Sequence, residues 1–142
     1  MNLVDMNFLI KGSFVCEYAG EIISAETAKK RSKKDKMNYI LYVVENFHRE
    51  KKRIFAIDPT SIGNIGRYIN HSCDPNLSKK LVYVDEMYPR VALMAKTDIR
   101  PGTELTFDYG SIENRNSLSE NGGTKCLCGS KNCQGFLPFH QF

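Results

Sequence analysis

The stretch GRYINHSCDPN, residues 66–76, joins an Asn-His-Ser-Cys run to a closing Asp-Pro-Asn. It belongs to a longer segment, 58–76, in which proline, glycine and asparagine recur, a pattern typical of loops and short turns. Cys73 lies two residues before Pro75, where a loop can present a sulfur atom to a distant part of the chain. Further cysteines lie near the other end of the sequence, in KCLCGSKNCQGF, residues 125–136.

Three cysteines in that C-terminal stretch have the spacing C-x-C-x4-C. A structural zinc ion prefers four thiolate or imidazole ligands in a tetrahedron, so Cys126, Cys128 and Cys133 are one ligand short. The candidates for the fourth ligand are Cys73, Cys16 and the histidines. Cys16 falls inside an apolar segment, which favours a buried structural thiol, whereas Cys73 lies in a loop.

The sequence therefore predicts one four-cysteine zinc site that closes the C-terminal tail onto the loop carrying Asn70 and His71. Folding of the tail would then be coupled to binding of the metal. The alternative is a set of unrelated free thiols. It is less favoured, because three of the five cysteines of the chain fall within residues 126–133.

Length and composition limit the class of protein. The chain has 142 residues, of which 42% are hydrophobic and 25% charged, as expected for one globular domain. No apolar run approaches the roughly 20 residues of a membrane span, and the first residues lack the basic region of a secretory signal. An odd cysteine count favours a reducing compartment, the cytosol or nucleus. A net charge of +4 fits an anionic partner without demanding nucleic acid.

The hydrophobic pattern predicts a mostly β protein with at most one helix. Residues 24–36 are typical of that helix, with Ser24 as N-cap, Glu26 near the start and lysines near the end. Strands are predicted in 13–23, with a break at Gly20, and in a hairpin over 38–58. A second strand pair is predicted over 76–87 and 90–99, with its turn at Tyr88-Pro89. A further short strand is predicted in 100–109. Residues 110–123 are polar and predicted to be mobile.

Several motifs together resemble a known family. GRYINHSCDPN, ELTFDYG and CLCGSKNCQGFL are similar, in order and spacing, to the three signatures of SET-domain protein-lysine methyltransferases, and CEYAGE and NYILY match as well. The resemblance extends from Ile10 to Leu137. It is closest to histone-lysine methyltransferases with a zinc-binding post-SET segment. Within these, DPTSIGNIGR and FLPF are similar to SETMAR-type SET domains.

The resemblance implies a SET-domain fold of small curved β-sheets, with the NHSC and FDY segments threaded into a pseudoknot near the C-terminus and a zinc-bound post-SET loop. Residues 1–110 would form the SET domain, and residues 111–142 a linker and the post-SET segment. The implied protein is nuclear and associated with chromatin. It would use S-adenosylmethionine and one structural zinc ion to methylate histone tails, with no membrane partner and with direct DNA binding not favoured.

The chemistry of methyl transfer explains why few residues are needed. The reaction is an in-line displacement at a sulfonium carbon, and its nucleophile is a neutral lysine, whose pKa in water is about 10.4. An apolar channel and the positive charge of the cofactor both disfavour the ammonium form. Alignment and desolvation then carry the catalysis, and one tyrosine hydroxyl with some backbone carbonyls can orient the amine.

The resemblance also assigns roles to individual residues. Tyr109 would be the catalytic tyrosine. Phe107 would leave room for di- or trimethylation, because a tyrosine hydroxyl and its bound water would fill that space. The implied cofactor-binding residues are Tyr39, Arg67, Asn70, His71, Tyr109 and Phe136, and the implied metal ligands are Cys73, Cys126, Cys128 and Cys133. Alternatives stay open at this point: Tyr18 and His71 can equally be structural, and Tyr109 can be an ordinary aromatic at a strand end.

Two departures from the family pattern stand out. The first strand of SET domains usually carries Gly-x-Gly, but MNLVDMNF has no glycine before Gly12, and the chain looks truncated there. Ile62 also replaces a tyrosine that many relatives carry. We interpret Ile62 as a change of specificity or rate. The missing glycine strand motivates the competing hypothesis, a catalytically impaired SET remnant that binds peptides or proteins. A third hypothesis, a zinc-bound nucleic-acid binder, rests on the basic run 29–36, which is more typical of a solvated helix face.

Overall fold

The structure, a computed structural model, describes residues 2–34, 39–47, 51–110 and 124–138. Its strands are β1 (Phe14–Glu17), β2 (Gly20–Ser24), β3 (Leu41–Asn46), β4 (Lys52–Gly63), β5 (Asn70–His71), β6 (Leu77–Val82), β7 (Arg90–Ala95) and β8 (Thr106–Phe107). One α-helix, α1 (Ala25–Lys34), and a short 3-10 helix (Ile65–Tyr68) accompany them in the described part of the chain. The mostly β prediction is confirmed. Residues 111–123, which make up most of the segment 110–123 predicted to be mobile, lie outside the described residues.

The strands form three small sheets. Two are antiparallel and three-stranded, with orders β1-β7-β6 and β2-β4-β3, and the third is the parallel pair β5-β8. The predicted hairpin is confirmed as β3 and β4, which pair from Leu41↔Ile57 to Asn46↔Lys52. The second predicted strand pair is confirmed as β6 and β7, but both strands are shorter than predicted: β6 ends at Val82 and β7 at Ala95, so the turn between them spans 83–89. The N-terminal segment runs antiparallel to residues 99–104 through the bridges Leu9↔Ile99 and Val4↔Glu104.

Local interactions explain why α1 forms where it does. The Ser24 hydroxyl accepts a hydrogen bond from the Thr27 amide at 3.1 Å and so caps the helix as predicted. Glu26 lies in the first turn and forms an ion pair with Lys30, and basic residues occupy the last turn. Ala28 is the buried residue of α1. No helix in the described ranges is long and apolar enough to cross a bilayer.

The interpretation of residues 58–76 as loops and turns is wrong for residues 58–63, which continue β4. The register of β2 against β4 moves from Glu21↔Asp58 to Gly20↔Gly63, so residues 59–62 bulge out of the pairing. A Cβ atom at Gly20 would lie 2.7 Å from the Asp58 carbonyl carbon. Glycine therefore permits the close approach that lets the strand pair resume beyond Pro59.

The main core lies where β3, β4, β6, β7 and β8 meet, and β1 packs against it. Its largest fully buried hydrophobic side chains include Phe55, Phe107, Ile69, Leu77 and Leu93. Burying one such side chain contributes about 1.5–3 kcal/mol. Cys16 packs against this core, and burial raises the pKa of its thiol, which agrees with the structural thiol predicted from the sequence. The core thus includes Phe107 and Ile69, which belong to the signature segments.

A buried ion pair connects β3 to the turn between β6 and β7. The Glu45 carboxylate is 1% exposed and accepts hydrogen bonds from Arg53 and, at 2.7 Å, from the Tyr83 hydroxyl. The Arg53 guanidinium also donates to the Met87 carbonyl at 2.9 Å and stacks over the Tyr88 ring. Burial works to raise the pKa of Glu45, but the hydrogen bonds and the charge of Arg53 outweigh it and lower the pKa.

Replacing Arg53 by Met should lower Tm by roughly 5–10 °C at neutral pH, because Glu45 loses its cationic partner inside the protein. In the native protein the lowered pKa means that Glu45 contributes stability above the ordinary carboxyl pKa and loses it as pH falls. In the variant the pKa is raised instead, so the deficit in Tm should shrink toward pH 5. Thermal melts from pH 5 to 8 measure this.

The matched control is Arg53→Met combined with Glu45→Gln, which removes the charge and keeps a hydrogen-bond acceptor for Tyr83. The double variant should melt above the single variant at pH 8, with a deficit that does not depend on pH. A single-variant deficit that is equal at pH 5 and 8 would contradict this account.

Candidate functional site

The NHSC and FDY segments lie side by side. β5 pairs with β8 in parallel through Asn70↔Thr106 and His71↔Phe107, and the Ser72 amide donates to the Phe107 carbonyl at 3.2 Å. Two strands of two residues each cannot hold such a pairing on their own. The surrounding contacts must therefore supply the stability of this junction.

Asn76, the last residue of the Asp-Pro-Asn turn, supplies part of it. Its side-chain oxygen accepts from the Thr106 amide at 3.0 Å, and its side-chain amide donates to the Glu104 carbonyl at 2.8 Å. The Asn76 side chain thus pairs with the 104–106 backbone in place of a strand. This contact gives the closing Asp-Pro-Asn a structural role that sequence reasoning did not assign.

The two predicted catalytic residues meet beside this junction. The Tyr109 hydroxyl donates to the Ile69 carbonyl at 2.7 Å, and burial raises the pKa of Tyr109 to about 12. The Phe107 ring is 1% exposed and lies 4.9 Å from the Tyr109 ring and 5.7 Å from the Tyr18 ring. Tyr18 is buried in the core, yet its hydroxyl donates to the Tyr39 carbonyl, so it also joins two predicted site segments.

Asn70 is exposed at the edge of the junction. Its side-chain amide donates to the Glu104 carboxylate at 2.8 Å and to the Asn2 side chain at 3.3 Å. Neither partner was predicted. Glu104 is the first residue of the ELTFDYG motif, so the sequence could have identified it as a candidate. Asn2 belongs to the N-terminal segment that departs from the family pattern.

The Arg67 guanidinium contacts two aromatic rings. Its guanidinium carbon lies 4.8 Å from the centre of the Tyr39 ring and 5.1 Å from that of Tyr68, a residue that sequence reasoning missed. One terminal nitrogen donates to the Pro59 carbonyl at 3.0 Å, while Nε is buried without a hydrogen-bond partner among the described residues. An anionic acceptor would satisfy that nitrogen. Ile62 lies nearby in sequence, in the bulge of β4, and is 74% exposed.

His71 uses both ring nitrogens. Its Nδ1 accepts from the Tyr109 backbone amide at 3.2 Å, and its Nε2 lies 3.3 Å from the Cys73 sulfur. The Asp108 carboxylate is 3.7 Å from Nδ1, farther than the amide. The ring is buried and packs edge-on against Tyr109, 5.2 Å between centres.

The four predicted metal ligands converge. The sulfur atoms of Cys73, Cys126, Cys128 and Cys133 all lie within 4.8 Å of one another, and those of Cys73 and Cys126 are 3.8 Å apart. Zinc–sulfur bonds of about 2.3 Å in a tetrahedron place the sulfur atoms about 3.8 Å apart. Cys16 is outside the cluster. The donor set and its spacing therefore fit a structural zinc ion.

Hydrogen-bond donors surround these sulfur atoms. The Gln134 amide donates to Cys73 and the Gly135 amide to Cys133, each at 3.4 Å. Hydrogen bonds from the Cys73 backbone and from Ser130 lower the pKa of Cys128 to about 5, whereas burial raises the pKa of Cys126 to about 12. A divalent cation would provide the charge that keeps the buried sulfur deprotonated.

The same segment folds back against the junction. The Cys126 amide donates to the Gly135 carbonyl at 2.9 Å, and Lys125 pairs with Phe136, which is half-buried. A Cβ atom at Gly110 would lie 2.4 Å from the Pro138 side chain, so the tail packs tightly on the end of FDYG. Together, the cysteine cluster and this contact hold residues 124–138 beside Asn70, His71 and Tyr109.

Comparisons with known proteins agree with this geometry. The SET domain family matches residues 4–110. "Histone-lysine N-methyltransferase SETMAR" of Homo sapiens is 41% identical over 145 residues, which cover 94% of this chain and 21% of that protein. "Probable histone-lysine N-methyltransferase set-23" of Caenorhabditis briggsae is 42% identical over 127 residues, covering 88% and 51%.

A solved structure, the methyltransferase domain of human SETMAR, matches with a TM-score of 0.79 and 38% identity, covering 94% of this chain and 52% of that one. The chain therefore belongs to the SET-domain family, in which its relatives are named histone-lysine N-methyltransferases. The predicted SET-domain fold is confirmed, and β5-β8 is the contact that its predicted pseudoknot requires. The chain spans about half or less of the length of these relatives.

Elemental analysis of the purified protein should find about one zinc ion per chain, and Cys73→Ser should lose it, because three sulfur ligands leave the tetrahedron incomplete. Cys16→Ser is the matched control, since Cys16 lies outside the cluster and should keep full occupancy. Full zinc occupancy in Cys73→Ser would mean that the fourth ligand lies elsewhere.

Proposed function

We propose that this chain is a protein-lysine methyltransferase that transfers methyl groups from S-adenosylmethionine to lysines of histone tails, to the di- or trimethylated state. The observation that carries the proposal is the Tyr109 hydroxyl, fixed on the Ile69 carbonyl beside the buried Phe107 ring, where the two signature segments meet. In this proposal, residues 1–110 form the SET domain and residues 111–142 the linker and post-SET segment.

The geometry of Tyr109 fits an orienting role. Because its pKa is raised to about 12, the phenol stays neutral at physiological pH and does not act as a base. Its proton is engaged by the Ile69 carbonyl, so the oxygen can accept a hydrogen bond from the target amine. The buried rings of Phe107 and Tyr18 exclude water nearby, which favours the neutral amine that must attack.

The proposed cofactor residues fit a ligand that carries a carboxylate group, as S-adenosylmethionine does beside its positively charged sulfonium. S-adenosylmethionine, when bound, supplies the electrophilic methyl group. Arg67 offers an unpaired buried Nε to a carboxylate and is kept rigid by Tyr39 and Tyr68. Asn70 offers an exposed amide, held by Glu104. We assign His71 and Phe136 to the cofactor-binding residues as well. Phe136 belongs to the C-terminal segment that the zinc site would hold in place.

We further infer a nuclear, chromatin-associated protein with a histone-tail peptide as its substrate. This inference rests on the names of its relatives, the human SETMAR histone-lysine N-methyltransferase among them. The competing function is a SET remnant that binds peptide without catalysis. The segment 2–11, which has no glycine, motivates it, although this segment pairs with residues 99–104 through two bridges.

Calorimetric titration of the zinc-loaded protein with S-adenosylmethionine, followed by transfer assays on histone H3 and H4 peptides, tests the proposal. We expect micromolar binding and measurable transfer. Tyr109→Phe should keep cofactor affinity within a few-fold and lower transfer by about 100-fold or more, because only the orienting hydroxyl is lost.

Tyr42→Phe is the matched control, because this side chain packs against the smaller cluster of Ile23, Ala28 and Ala56. Its transfer rate should equal that of the native chain. A folded, zinc-loaded native chain that binds no cofactor would favour the remnant, and unchanged turnover in Tyr109→Phe would refute the assigned role of the hydroxyl.

Phe107→Tyr should shift the product toward monomethyl-lysine, because the added hydroxyl and its bound water occupy space that a methylated amine needs. Mass spectrometry of the product peptide measures the distribution. Phe14→Tyr makes the same chemical change at an exposed position of β1 and should leave the distribution unchanged. An unaltered product ratio in Phe107→Tyr would show that this position does not set the degree of methylation.

A further inference from the structure

We infer that His71 is a positioning residue that couples the zinc cluster to the backbone of Tyr109. The inference deepens the proposed function and rests on its zinc site and catalytic tyrosine. The path has two hydrogen bonds: His71 Nε2 lies 3.3 Å from the Cys73 sulfur, and the Tyr109 amide donates to His71 Nδ1 at 3.2 Å. One rigid imidazole ring joins them.

The chemistry of the partners fixes the tautomer of the ring. A backbone amide can only donate, so Nδ1 is the acceptor and the proton of the neutral imidazole is on Nε2. That Nε2–H then faces the Cys73 sulfur, which accepts best as a thiolate, the form that binds zinc. Both hydrogen bonds are therefore compatible with one uncharged state of the ring.

The chain places His71 for this role. His71 ends β5, and Cys73 follows two residues later, so in an extended segment the two side chains point to the same side. The parallel register His71↔Phe107 brings Tyr109 to the other edge of the ring. The spacing His-x-Cys in NHSC, together with the β5-β8 pairing, accounts for both contacts.

Burial makes the coupling effective. The His71 ring is 8% exposed and packs against the Tyr109 ring, so it cannot rotate away without disturbing both neighbours. Hydrogen bonds to metal-binding side chains typically change metal affinity by 10–100-fold when removed. By linkage, loss of zinc should in turn loosen the Tyr109 amide.

Two variants separate the two hydrogen bonds. In His71→Asn the side-chain oxygen can replace Nδ1 and accept from the Tyr109 amide, but the side chain is too short to reach Cys73. In His71→Gln the side-chain amide can replace Nε2 and donate to Cys73, but nothing replaces Nδ1. Each hydrogen bond has its own readout. Zinc affinity, measured by competition with a chromophoric chelator, reports the bond to Cys73. Hydrogen exchange of the Tyr109 amide in the zinc-loaded protein reports the bond to Tyr109.

We expect a crossed result. His71→Asn should bind zinc 10–100-fold more weakly while retaining protection of the Tyr109 amide, and His71→Gln should bind zinc within about 3-fold of the native chain while losing that protection. In the native chain, removal of zinc should speed exchange at Tyr109. Ser130→Ala, which removes a contact to the Cys128 sulfur at 3.2 Å, is the positive control for the zinc assay.

Equal zinc affinity in the two variants, or equal amide exchange, would overturn the inference and leave His71 as an ordinary buried histidine. These readouts do not depend on methyl transfer, so the coupling can fail while the enzyme is active. Conversely, a crossed result in a chain that transfers no methyl group would support the coupling and refute the proposed function.

Discussion

The parallel pairing of β5 with β8 is the constraint on which the rest of the site depends. It joins residues that are 36 apart in the pairs Asn70↔Thr106 and His71↔Phe107, and it includes only two residues from each segment. So short a pair forms only because neighbouring groups add to it. Asn76 pairs with the 104–106 backbone through its side chain, and Phe107 is buried in the main core. The hydrophobic effect therefore fixes the position of the polar edge that carries candidate site residues.

The C-terminal tail, residues 124–138, is held in place by a different kind of interaction. Residues 124–138 contain no strand or helix of their own, and too few apolar side chains to fold alone, so their order must come from the cysteine cluster and from contact with the domain. Pro138 against Gly110 and the Lys125–Phe136 bridge supply that contact. Because Cys73 comes from residues 51–110 and the other three cysteines from residues 124–138, the cluster also connects these two parts of the chain.

Polar side chains around the site are held by partners rather than left to solvent. Arg67 is fixed by two aromatic rings and a backbone carbonyl, and Asn70 by Glu104. Such restraint reduces the entropy that a bound ligand would otherwise have to remove. The buried pair of Glu45 and Arg53 has a comparable effect at a distance from the site, where it holds the β6-β7 turn against β3.

The sequence by itself determined what depends on neighbours along the chain: the helix capped by Ser24, the hairpin of β3 and β4, the cysteine spacing, and, through the family resemblance, the candidate site residues. Only the tertiary structure decided the continuation of β4 past Pro59 opposite Gly20, the partners of Asn70, and the hydrogen bond between His71 and the Tyr109 amide. The physical reason is the range of the interactions. Caps and hairpins close over a few residues, whereas these contacts join groups tens of residues apart and form only once the shared core fixes the register.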